Sequence, residues 1–525
     1  MATRASLPLH ERLAGVVGAD HVLTDAEDLR FYATDVFRAG KPLLAVVRPG
    51  SVAEVQEVVR IAREAHAPIV VRGGGASYTD GYTPGATRGI SLSTERLTSI
   101  SVNEEDRTVT AEAGVTWAAL DSALRPRGWR TPFFGPFSGL RATVGGALSQ
   151  HAVSHGTGAF GLSAESLLTL EVVTGTGELL ATGSLGSAAA SPFFRHYGPD
   201  LAGLFTGDCG ALGIKVRATL RLVRRQTAAA YLSFRFETFE ALHAAMRSAS
   251  AEHLDDTHFA IDREITRGQL ARQDRLEGRL GAVKSVLGAA GSLREGAASL
   301  VRLARTGASD DLATAPYAAH YVIEAASDAE AQARADRLRA ILSAHGTEIA
   351  AAVPNLTRAQ PFPPLLALLG AEGERWVPVH GILPHSRVAG FHAALQAWFA
   401  DNREAMETHG IRSGTMFLCV GPTGFLYEPT LTWPDARSIY HEREMPADWL
   451  QKLPRHPENP AAFAEVKRMK SEIAALMDRH GAAHFQIGRF YNWAGGRNRA
   501  AIALIRAIKA ELDPANLLAP GVLGL

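Results

Sequence analysis

Short apolar runs alternate with amphipathic segments between residues 42 and 222, and glycine-rich stretches separate them. Residues 53–65 carry apolar side chains at the three- and four-residue spacing of a helix. Strand-like runs occur at residues 44–47, 69–71, 89–92, 108–113, 168–173 and 214–222. The alternation predicts an α+β domain built around two small sheets or one split sheet. Ahead of it, residues 9–17 and 24–32 are expected to be helical, with Thr24 as the cap of the second helix because Glu27 follows three residues later.

A different pattern begins near residue 226, where each strand-like run is followed by a helix-like segment. The predicted pairs are residues 230–236 with 239–248, 320–324 with 328–345, and 377–379 with 387–400. They predict a second domain made of a sheet and helices. A last helix is expected at residues 498–511, ended by Asp513 and Pro514.

An Ala-, Leu- and Arg-rich stretch at about residues 263–312 interrupts this second domain and predicts a helical insertion. Nine Lys and Arg side chains stand against four Asp and Glu side chains between residues 263 and 305. Two interpretations stay open: a solvated helical face, or a docking surface for a membrane or a partner protein.

The composition narrows the class of protein. A chain of 525 residues is expected to form two domains, and 46% hydrophobic with 21% charged residues is typical of a globular protein. Lys and Arg number 54, as do Asp and Glu, so no global charge bias favours nucleic acid. The two cysteines lie far apart, which excludes a disulfide framework. Without a secretory signal or a membrane-spanning apolar run, we expect a cytoplasmic protein; a homo-oligomer and a peripheral contact with a membrane both stay open.

Four glycine-rich loops follow strand-like runs, at residues 72–81, 137–147, 155–161 and 200–214. Glycine permits positive φ and lets successive backbone N–H groups point at one anion. One such loop is unspecific, but four in order within one domain favour a site for a diphosphate. No Gly-x-Gly-x-x-Gly motif opens a helix near the start, so a nucleotide-binding dehydrogenase fold fits poorly.

These loops resemble the FAD-binding domain of the vanillyl-alcohol oxidase and para-cresol methylhydroxylase superfamily. The resemblance covers residues 42–222 and resumes at residues 512–521, where Ala519 stands in place of the family's Asn. It implies a two-subdomain FAD-binding domain over residues 1–225, an α+β cap domain with an antiparallel sheet and flanking helices over residues 226–484, and a C-terminal segment, residues 485–525, that returns to the first domain. The cofactor it implies is FAD.

The resemblance also implies which residues hold the cofactor. The diphosphate is expected at Arg72, Gly73, Gly74, Gly75, Ala76 and Ser77. The ribityl chain and flavin are expected at Thr143, Val144, Gly145, Gly146, Leu148, Ser149, His151 and Gly158, and the remaining contacts at Gly210, Gly213 and Ile214. Relatives that attach FAD covalently carry His where this chain has Ala76. FAD is therefore expected to be noncovalent, with His151 or His155 as the alternative points of attachment.

Oxidation by a flavin needs a base for the hydroxyl proton and a group that orients the oxygen. Candidates are His380, His385, Glu428, His484, Arg489 and Tyr491. These segments fall where glycolate oxidase and D-lactate dehydrogenase relatives carry metal-binding motifs, but the Asp-Gly-Asn core is missing here and Phe485 replaces a His. Zinc held by His380, His385 and His484, hydrogen-bonded structural histidines, and a metal-free acid–base role all stay open.

Arg489 and Tyr491 stand where vanillyl-type relatives bind an anionic phenolate or carboxylate, and a surface salt bridge is the alternative for Arg489. The sequence thus predicts an FAD-dependent oxidoreductase acting on the CH–OH group of a small molecule, a 2-hydroxy acid or related compound. The alternatives are a 4-hydroxybenzyl-type phenol or aromatic alcohol as substrate, or a flavin-binding subunit of a larger complex. The sequence leaves the electron acceptor open.

Overall fold

The computed structural model describes residues 7–273, 275 and 310–525. The chain divides into two compact units, each of which is continuous in space but not in sequence. The first unit consists of Met1–Ala152, Leu162–Arg224 and His484–Leu525, and the second of Val153–Gly161 and Arg225–Ala483. The predicted roles of these segments, as cofactor domain, cap and returning C-terminal segment, stay a prediction.

The first unit contains two principal sheets. Its strands are β1 (Val22–Leu23), β2 (Leu43–Val47), β3 (Ile69–Arg72), β4 (Gly89–Ser93), β5 (Ile100–Asn103), β6 (Thr108–Glu112), β7 (Trp129–Arg130), β8 (Leu167–Val173), β9 (Leu179–Ala181), β10 (Ile214–Arg221) and β11 (Val223–Arg224). One sheet has the order β1-β2-β4-β3, with parallel pairing of β4 to β2 and β3. The other is antiparallel, in the order β5-β6-β10-β8-β9, and β7 pairs with β11 in a short ribbon.

The helices of the first unit are α1 (Leu9–Val17), α2 (Ala26–Tyr32), α3 (Val52–Glu64), α4 (Trp117–Leu124), α5 (Val144–Gln150), α7 (Leu201–Leu204) and α17 (Arg499–Leu512). The cap predicted for α2 is wrong. Asp25 lies at the N-cap and its carboxylate accepts the N–H groups of Glu27 and Asp28, so the helix begins one residue later than Thr24 would place it. An Asp at this position also favours the positive end of the helix dipole.

Helix α3 packs against both sheets of the first unit. The hydroxyl of Ser51 accepts the N–H of Glu54 and caps the helix, and apolar residues recur along one face from Val52 onwards. That face belongs to one core cluster with residues of β2, β3 and β4 and with Val173 and Ile214 of the second sheet. Each fully buried aliphatic side chain contributes about 1.5–3 kcal/mol, so this cluster stabilises β3, at whose end the first glycine-rich loop begins.

The second unit is built on one large sheet. Its strands are β12 (Ala228–Phe236), β13 (Thr257–Asp262), β14 (Tyr317–Ala325), β15 (Thr347–Ile349), β16 (Arg375–Pro378), β17 (Gly381–Pro384), β18 (Arg412–Val420) and β19 (Gly424–Trp433). They follow the order β15-β12-β14-β13-β18-β19-β16, with β17 also paired to β19, and every pairing is antiparallel. The predicted α+β fold with an antiparallel second sheet is confirmed.

The helices of the second unit are α6 (Thr157–Phe160), α8 (Phe239–Ser250), α9 (Asp310–Thr314), α10 (Asp328–Leu342), α11 (Ala352–Ala359), α12 (His385–Asp401), α13 (Arg403–His409), α14 (Ile439–Glu444), α15 (Ala447–Lys452) and α16 (Pro460–Arg479). Most of the helical insertion predicted at residues 263–312 lies outside the described residues, so the interpretation of its basic surface stays a prediction. No helix among the described residues is long and apolar enough to cross a membrane.

The two faces of the large sheet differ in chemistry. On one face, Phe239 of α8 contacts the rings of Phe417 and Tyr427 at centroid distances of 5.4 and 5.6 Å. Side chains alternate along a strand, so the neighbours of these residues point to the opposite face. That opposite face carries His320 and Glu428, both buried.

Candidate functional site

The loop of residues 73–77 follows β3 directly and packs against the loop that precedes α5. A Cβ atom on Gly74 would lie 1.6 Å from the carbonyl oxygen of Arg141, and one on Gly73 would lie 2.5 Å from Oγ1 of Thr143. Glycine at both positions lets the two loops approach this closely. The structure therefore brings together the first two of the predicted glycine-rich loops.

The backbone N–H groups of residues 73–77 indicate what this loop can bind. Within the described part of the chain, none of these five N–H groups donates a hydrogen bond. Backbone donors without acceptors are rare in the interior of proteins, and Gly75 and Ser77 are buried. Successive N–H groups in a tight loop form a concave site for an anion. The residues present therefore fit a diphosphate.

The side chain of Arg72 supports this loop. Its guanidinium lies 4.5 Å from the centre of the Phe31 ring and 5.0 Å from that of Tyr82, and Nη1 donates to the carbonyl of Thr34 at 3.0 Å. A Cβ atom on Gly75 would lie 2.6 Å from Nη2. Arg72 thus ties the loop to the segment that follows α2, and a direct contact between its guanidinium and a diphosphate stays a prediction.

Helix α5 begins at the second loop. Oγ1 of Thr143 caps it by accepting the N–H of Gly146 at 3.2 Å, and Val144 is its buried first residue. The N–H of Gly145 donates to the carbonyl of Ala113 at 3.0 Å, and its Cα faces that residue so closely that a Cβ atom would lie 2.7 Å from Cβ of Ala113. The start of α5 is therefore held against the end of β6.

The other end of α5 contacts the fourth glycine-rich loop. The carbonyls of Leu148 and Ser149 accept the N–H groups of Gly207 and Cys209, each at 2.9 Å. His151 ends the helix in the left-handed conformation, with φ of 53°. Burial lowers the pKa of His151, so its imidazole is held in the neutral form beside both loops.

The two histidines considered for covalent attachment make other contacts in the structure. A Cβ atom on Gly207 would lie 2.2 Å from the His151 ring, so this ring packs against the loop backbone. His155 belongs to the second unit, and its Nε2 lies 2.7 Å from the carbonyl oxygen of Pro361. Noncovalent binding of FAD stays the prediction.

Three predicted cofactor residues lie at the end of the fourth loop. The N–H of Gly210 donates to the Asp208 carboxylate at 3.1 Å. A Cβ atom on Gly213 would lie 2.3 Å from Cγ1 of Val172, so the loop passes tightly over β8. Ile214 is the first residue of β10 and is fully buried. The fourth loop is thus fixed by backbone contacts on both sides.

Buried charges hold the same loop from the C-terminal side. Nζ of Lys215 lies 2.5 Å from the Asp208 carboxylate. Nζ of Lys509 lies 2.6 Å from the Asp513 carboxylate and donates to the carbonyl of Ala211 at 2.7 Å. A buried ion pair is costly to break because the remaining charge is left without a partner. The network therefore fastens α17 to the fourth loop.

The segment after His484 contacts the first loop, the end of α5 and the fourth loop. The amide oxygen of Gln486 accepts the hydroxyl of Ser77 at 3.1 Å, and its backbone N–H donates to the carbonyl of Gln150 at 2.9 Å. The N–H of Gly488 donates to Sγ of Cys209 at 3.3 Å. Within the first unit, therefore, three predicted cofactor loops and the C-terminal segment converge at one place.

The guanidinium of Arg489 forms an ion pair and hydrogen bonds with residues of the first unit. Its Nη2 lies 3.0 Å from the Asp80 carboxylate and donates to the carbonyl of Thr83 at 2.6 Å. The pair is largely buried, with 13% and 11% of the two side chains exposed. Among the described residues Nη1 makes no hydrogen bond. The arginine can therefore offer a ligand Nη1, and its predicted role in binding an anionic substrate stays a prediction.

His484 and Tyr491 stack on one another. Their ring centroids are 4.0 Å apart and the ring planes differ by 15°. Tyr491 is buried and His484 is half-buried. His484 and Tyr491, two of the predicted active-site residues, thus lie in contact in the first unit.

The histidines predicted in the second unit have separate surroundings. His380 is fully buried in the turn between β16 and β17. His385 begins α12, and its Nδ1 lies 3.1 Å from Nε2 of His243 on α8. Burial lowers the pKa of His385 and lowers that of His243 to about 4. Across the described ranges, no group of three or more His, Cys, Asp or Glu side chains is arranged to hold a metal ion.

Glu428 lies in the middle of β19, opposite Met416 of β18, and not at the end of a strand as the sequence suggested. Its side chain is on the sheet face opposite Phe239. Among the described residues its carboxylate makes no hydrogen bond or ion pair, and burial alone raises its pKa to about 8. A carboxyl group of this kind takes up and releases a proton near neutral pH.

Gly158 belongs to the second unit, whereas the other predicted cofactor residues belong to the first unit. It lies in α6 of the second unit, where a Cβ atom would be 2.4 Å from the Asp255 carboxylate. That carboxylate accepts from Nδ1 of His258 at 2.6 Å. Gly158 is thus required for packing at this position, and its contact with a flavin stays a prediction.

Sequence reasoning missed Gln486, Lys509 and the pair formed by Asp80 with Arg489. Gln486 adopts a φ of 48°, which is unusual for a residue other than glycine. Lys509 and Asp513 are four residues apart at the end of α17. This i,i+4 spacing could have predicted their ion pair from the sequence. The partner in each remaining contact is far away along the chain.

A family model supports the assignment of the cofactor. Residues 43–183 match the model of an FAD-binding domain. The match contains the first three loops and β2 to β9. The chain therefore carries an FAD-binding domain, and the FAD prediction is confirmed.

Curated relatives match over about half of the chain. D-2-hydroxyglutarate dehydrogenase of Xanthomonas citri pv. viticola is 34% identical over 257 residues, which are 48% of this chain and 52% of that protein. Glycolate oxidase subunit GlcD of Escherichia coli is 29% identical over 242 residues, 45% of this chain and 46% of that protein. The chain spans about half the length of these relatives.

A solved structure matches over nearly the whole chain. p-Cresol methylhydroxylase with substrate bound superposes with a TM-score of 0.72 at 17% sequence identity, covering 98% of this chain and 96% of that one. The two proteins share a fold. The resemblance of the first glycine-rich loops to an FAD-binding domain is confirmed by the family model.

Proposed function

We propose that this chain is an FAD-dependent oxidoreductase that removes a hydride from the CH–OH carbon of a small hydroxylated acid. The observation that carries the proposal is the run of five backbone N–H groups without acceptors at residues 73–77, beside the start of α5. The names of the curated relatives, a 2-hydroxyglutarate dehydrogenase and a glycolate oxidase subunit, support a 2-hydroxy acid as the substrate class.

The first unit supplies the binding and orientation of the cofactor. N–H groups of residues 73–77 would hold the diphosphate, and the loops around Thr143 and Gly210 would flank the rest of the molecule. When bound, FAD supplies the acceptor for the hydride. The neutral imidazole of His151 adds no charge beside these loops, while Gln486 and the Asp80–Arg489 pair keep them together.

Glu428 is the proton acceptor in this proposal. Loss of hydride from the CH–OH carbon leaves a carbonyl only if the hydroxyl proton is also removed, and the Glu428 carboxylate takes that proton. A carboxyl group without hydrogen-bond partners and with a pKa raised to about 8 by burial is a stronger base than an exposed one. Arg489 through Nη1, Tyr491, His380, His385 and His484 are retained as candidates for binding the acid group or orienting the hydroxyl.

Anaerobic titration of the purified, FAD-loaded chain tests this function. D-Lactate, glycolate, D-2-hydroxyglutarate and 4-hydroxybenzyl alcohol are added separately, and bleaching of the flavin absorption is followed. We expect at least one hydroxy acid to bleach the flavin, and Glu428→Gln to slow the bleaching at least 100-fold while FAD stays bound. Bleaching by wild type that Glu428→Gln leaves unchanged would remove Glu428 from the mechanism.

A second candidate substrate is a 4-hydroxybenzyl-type phenol or aromatic alcohol. The fold shared with p-cresol methylhydroxylase favours it. Bleaching by 4-hydroxybenzyl alcohol alone would select this candidate. If none of the compounds bleaches the flavin, the chain is better described as a flavin-binding subunit, a role that agrees with the name of its glycolate oxidase relative.

A further inference from the structure

Helix α12 of the second unit has one packed face and one exposed face. On the packed face, the ring of Phe391 contacts that of Tyr427 at a centroid distance of 4.9 Å, and Nδ1 of His392 lies 2.8 Å from the Tyr427 hydroxyl. Nε1 of Trp398 donates to the Glu472 carboxylate of α16 at 3.0 Å. The helix is therefore held from the side of the sheet and of α16.

The exposed face of α12, called the outward face below, carries small side chains. Its residues recur three and four positions apart, which places them on one side of a helix with 3.6 residues per turn. They are Ser386, Ala389, Gly390, Ala393, Ala397 and Ala400, with Gln396 as the long side chain of this face. Surface helices normally carry charged side chains on the face away from the core. Here no Asp, Glu, Lys or Arg occurs between residues 387 and 401.

One charged residue stands at each end of the outward face. Arg387 and Asp401 are exposed, and neither side chain forms an ion pair or hydrogen bond with any residue that the structure describes. They are fourteen residues apart, close to four helical turns, so they lie on the same flank of α12. A positive charge in the first turn and a negative charge in the last turn oppose the helix dipole. The helix itself therefore gives no reason for these two charges.

A second copy of α12, packed antiparallel, matches the outward face in shape. If the twofold axis passes at Ala393, Ala389 of one copy lies opposite Ala397 of the other. Gly390 then lies opposite Gln396, so the long side chain of each copy meets a residue without a side chain. Small residues at these positions allow the two helix axes to approach to about 8 Å.

The same packing also pairs the two charges. A twofold axis that runs between the two faces, at right angles to both helices, reverses the direction of the partner helix and keeps each flank on its own side. At 1.5 Å per residue, Arg387 lies about 9 Å along the helix from the axis, and Asp401 of the other copy lies about 12 Å from it on the same side. The offset of about 3 Å is within reach of an arginine side chain. Symmetry forms this contact twice.

A lipid surface fits the outward face less well. Helices that lie on a membrane present large apolar side chains such as Leu, Phe and Trp to the lipid, and their polar face is rich in Lys and Arg. The outward face consists mostly of alanine, which offers little apolar surface to insert. Small side chains instead favour close contact with another helix.

We propose that the outward face of α12 is the interface of a twofold-symmetric homodimer, in which Arg387 of each copy forms an ion pair with Asp401 of the other. This inference is independent of the proposed function. The face is about 21 Å long and one helix wide. Such an interface is at the small end of specific protein interfaces, so a dissociation constant in the micromolar range is expected.

Sedimentation equilibrium of the FAD-loaded full chain, from low to high micromolar concentrations, tests the dimer. Ala393→Glu places two like charges at the axis and should raise the dissociation constant on the order of 100-fold. Ala333→Glu is the matched control, because Ala333 is an exposed alanine in the helix α10 of the same unit, and it should leave the dimer intact. Circular dichroism establishes that both variants are folded. A wild-type chain that stays monomeric, or a dimer that Ala393→Glu leaves intact, would overturn the proposal.

Reversal of the two charges tests the antiparallel arrangement. Arg387→Asp and Asp401→Arg each turn two attractive contacts into repulsive ones, so each alone should raise the dissociation constant about tenfold. Both substitutions favour the helix dipole, so a weaker dimer cannot be attributed to loss of the helix. The double variant Arg387→Asp/Asp401→Arg restores both attractions and should return to within about threefold of wild type. A double variant that dimerises no more tightly than the single variants would refute the proposed pairing.

Discussion

Replacement of Gly74 by Ala tests whether the first two glycine-rich loops form the cofactor site together. The new Cβ atom would lie 1.6 Å from the carbonyl oxygen of Arg141 and 2.4 Å from its carbonyl carbon. Both atoms belong to the backbone, so no flexible side chain can move aside. Carbon atoms in contact are normally about 3.5–4.0 Å apart, so one loop must shift by about 2 Å.

The magnitude follows from the cost of overpacking, about 1–3 kcal/mol in a well-packed site. If the shift is needed whenever FAD binds, the upper value raises the Kd for FAD on the order of 100-fold. The assay is titration of apoprotein with FAD, followed by the quenching of FAD fluorescence. Circular dichroism of the same sample establishes that the variant is folded.

Gly390→Ala is the matched control. Gly390 lies within α12, where a Cβ atom would meet nothing within 4 Å. We expect an unchanged Kd for FAD and an unfolding free energy raised by about 0.5–1 kcal/mol, because alanine favours a helix more than glycine does. A Gly74→Ala protein that binds FAD as tightly as wild type would refute the assignment of these loops.

Three further predictions follow from the site. Lys509→Met should lower the unfolding free energy in urea by about 3–5 kcal/mol, because Asp513 is left as a buried charge without its partner; a loss below about 1 kcal/mol would show that the network does not fasten α17. Burial raises the folded-state pKa of Glu428 to about 8, whereas a Glu in the unfolded chain has a pKa of about 4.3. Between these two pH values the folded protein keeps a proton on Glu428 that the unfolded chain releases. The unfolding free energy of wild type is therefore expected to fall as pH rises toward 8. Glu428→Gln should therefore gain stability relative to wild type between pH 5 and 8, and wild-type kcat/KM should rise through about pH 8, a limb that the variant lacks. Acid precipitation should release FAD into the supernatant, because Ala76 offers no nucleophile; yellow colour retained in the pellet would instead indicate a covalent bond.

Local sequence patterns predicted part of the fold, but not helix α16 or strands β13, β15 and β18. The apolar runs at residues 69–71 and 214–222 correspond to β3 and β10, and the first glycine-rich loop follows β3 directly as predicted. The third loop instead follows α5, and the fourth contains α7 and precedes β10. Period-two alternation and glycine position depend on near neighbours in the sequence, so they can be recognised without coordinates. The cap of α2 was misplaced because Thr24 and Asp25 are both good caps, and backbone geometry decides between them.

Contacts between residues that are far apart along the chain could not be predicted from the sequence. The direction of the Arg72 side chain depends on Phe31 and Tyr82, and the ion pair of Arg489 depends on Asp80, more than 400 residues earlier. Glu428 was expected at a strand end because the pattern around it does not show where β19 stops.

In the proposed function, a hydride passes from the CH–OH carbon of a hydroxy acid to the FAD held by this chain. Stopped-flow mixing of the FAD-loaded protein with D-2-hydroxyglutarate, carrying hydrogen or deuterium at carbon 2, measures that step directly in the absence of oxygen. We expect the flavin to bleach in a single turnover, at a rate that is several-fold lower with deuterium than with hydrogen at carbon 2. Bleaching at the same rate with both isotopes, or no bleaching with any hydroxy acid, would contradict it.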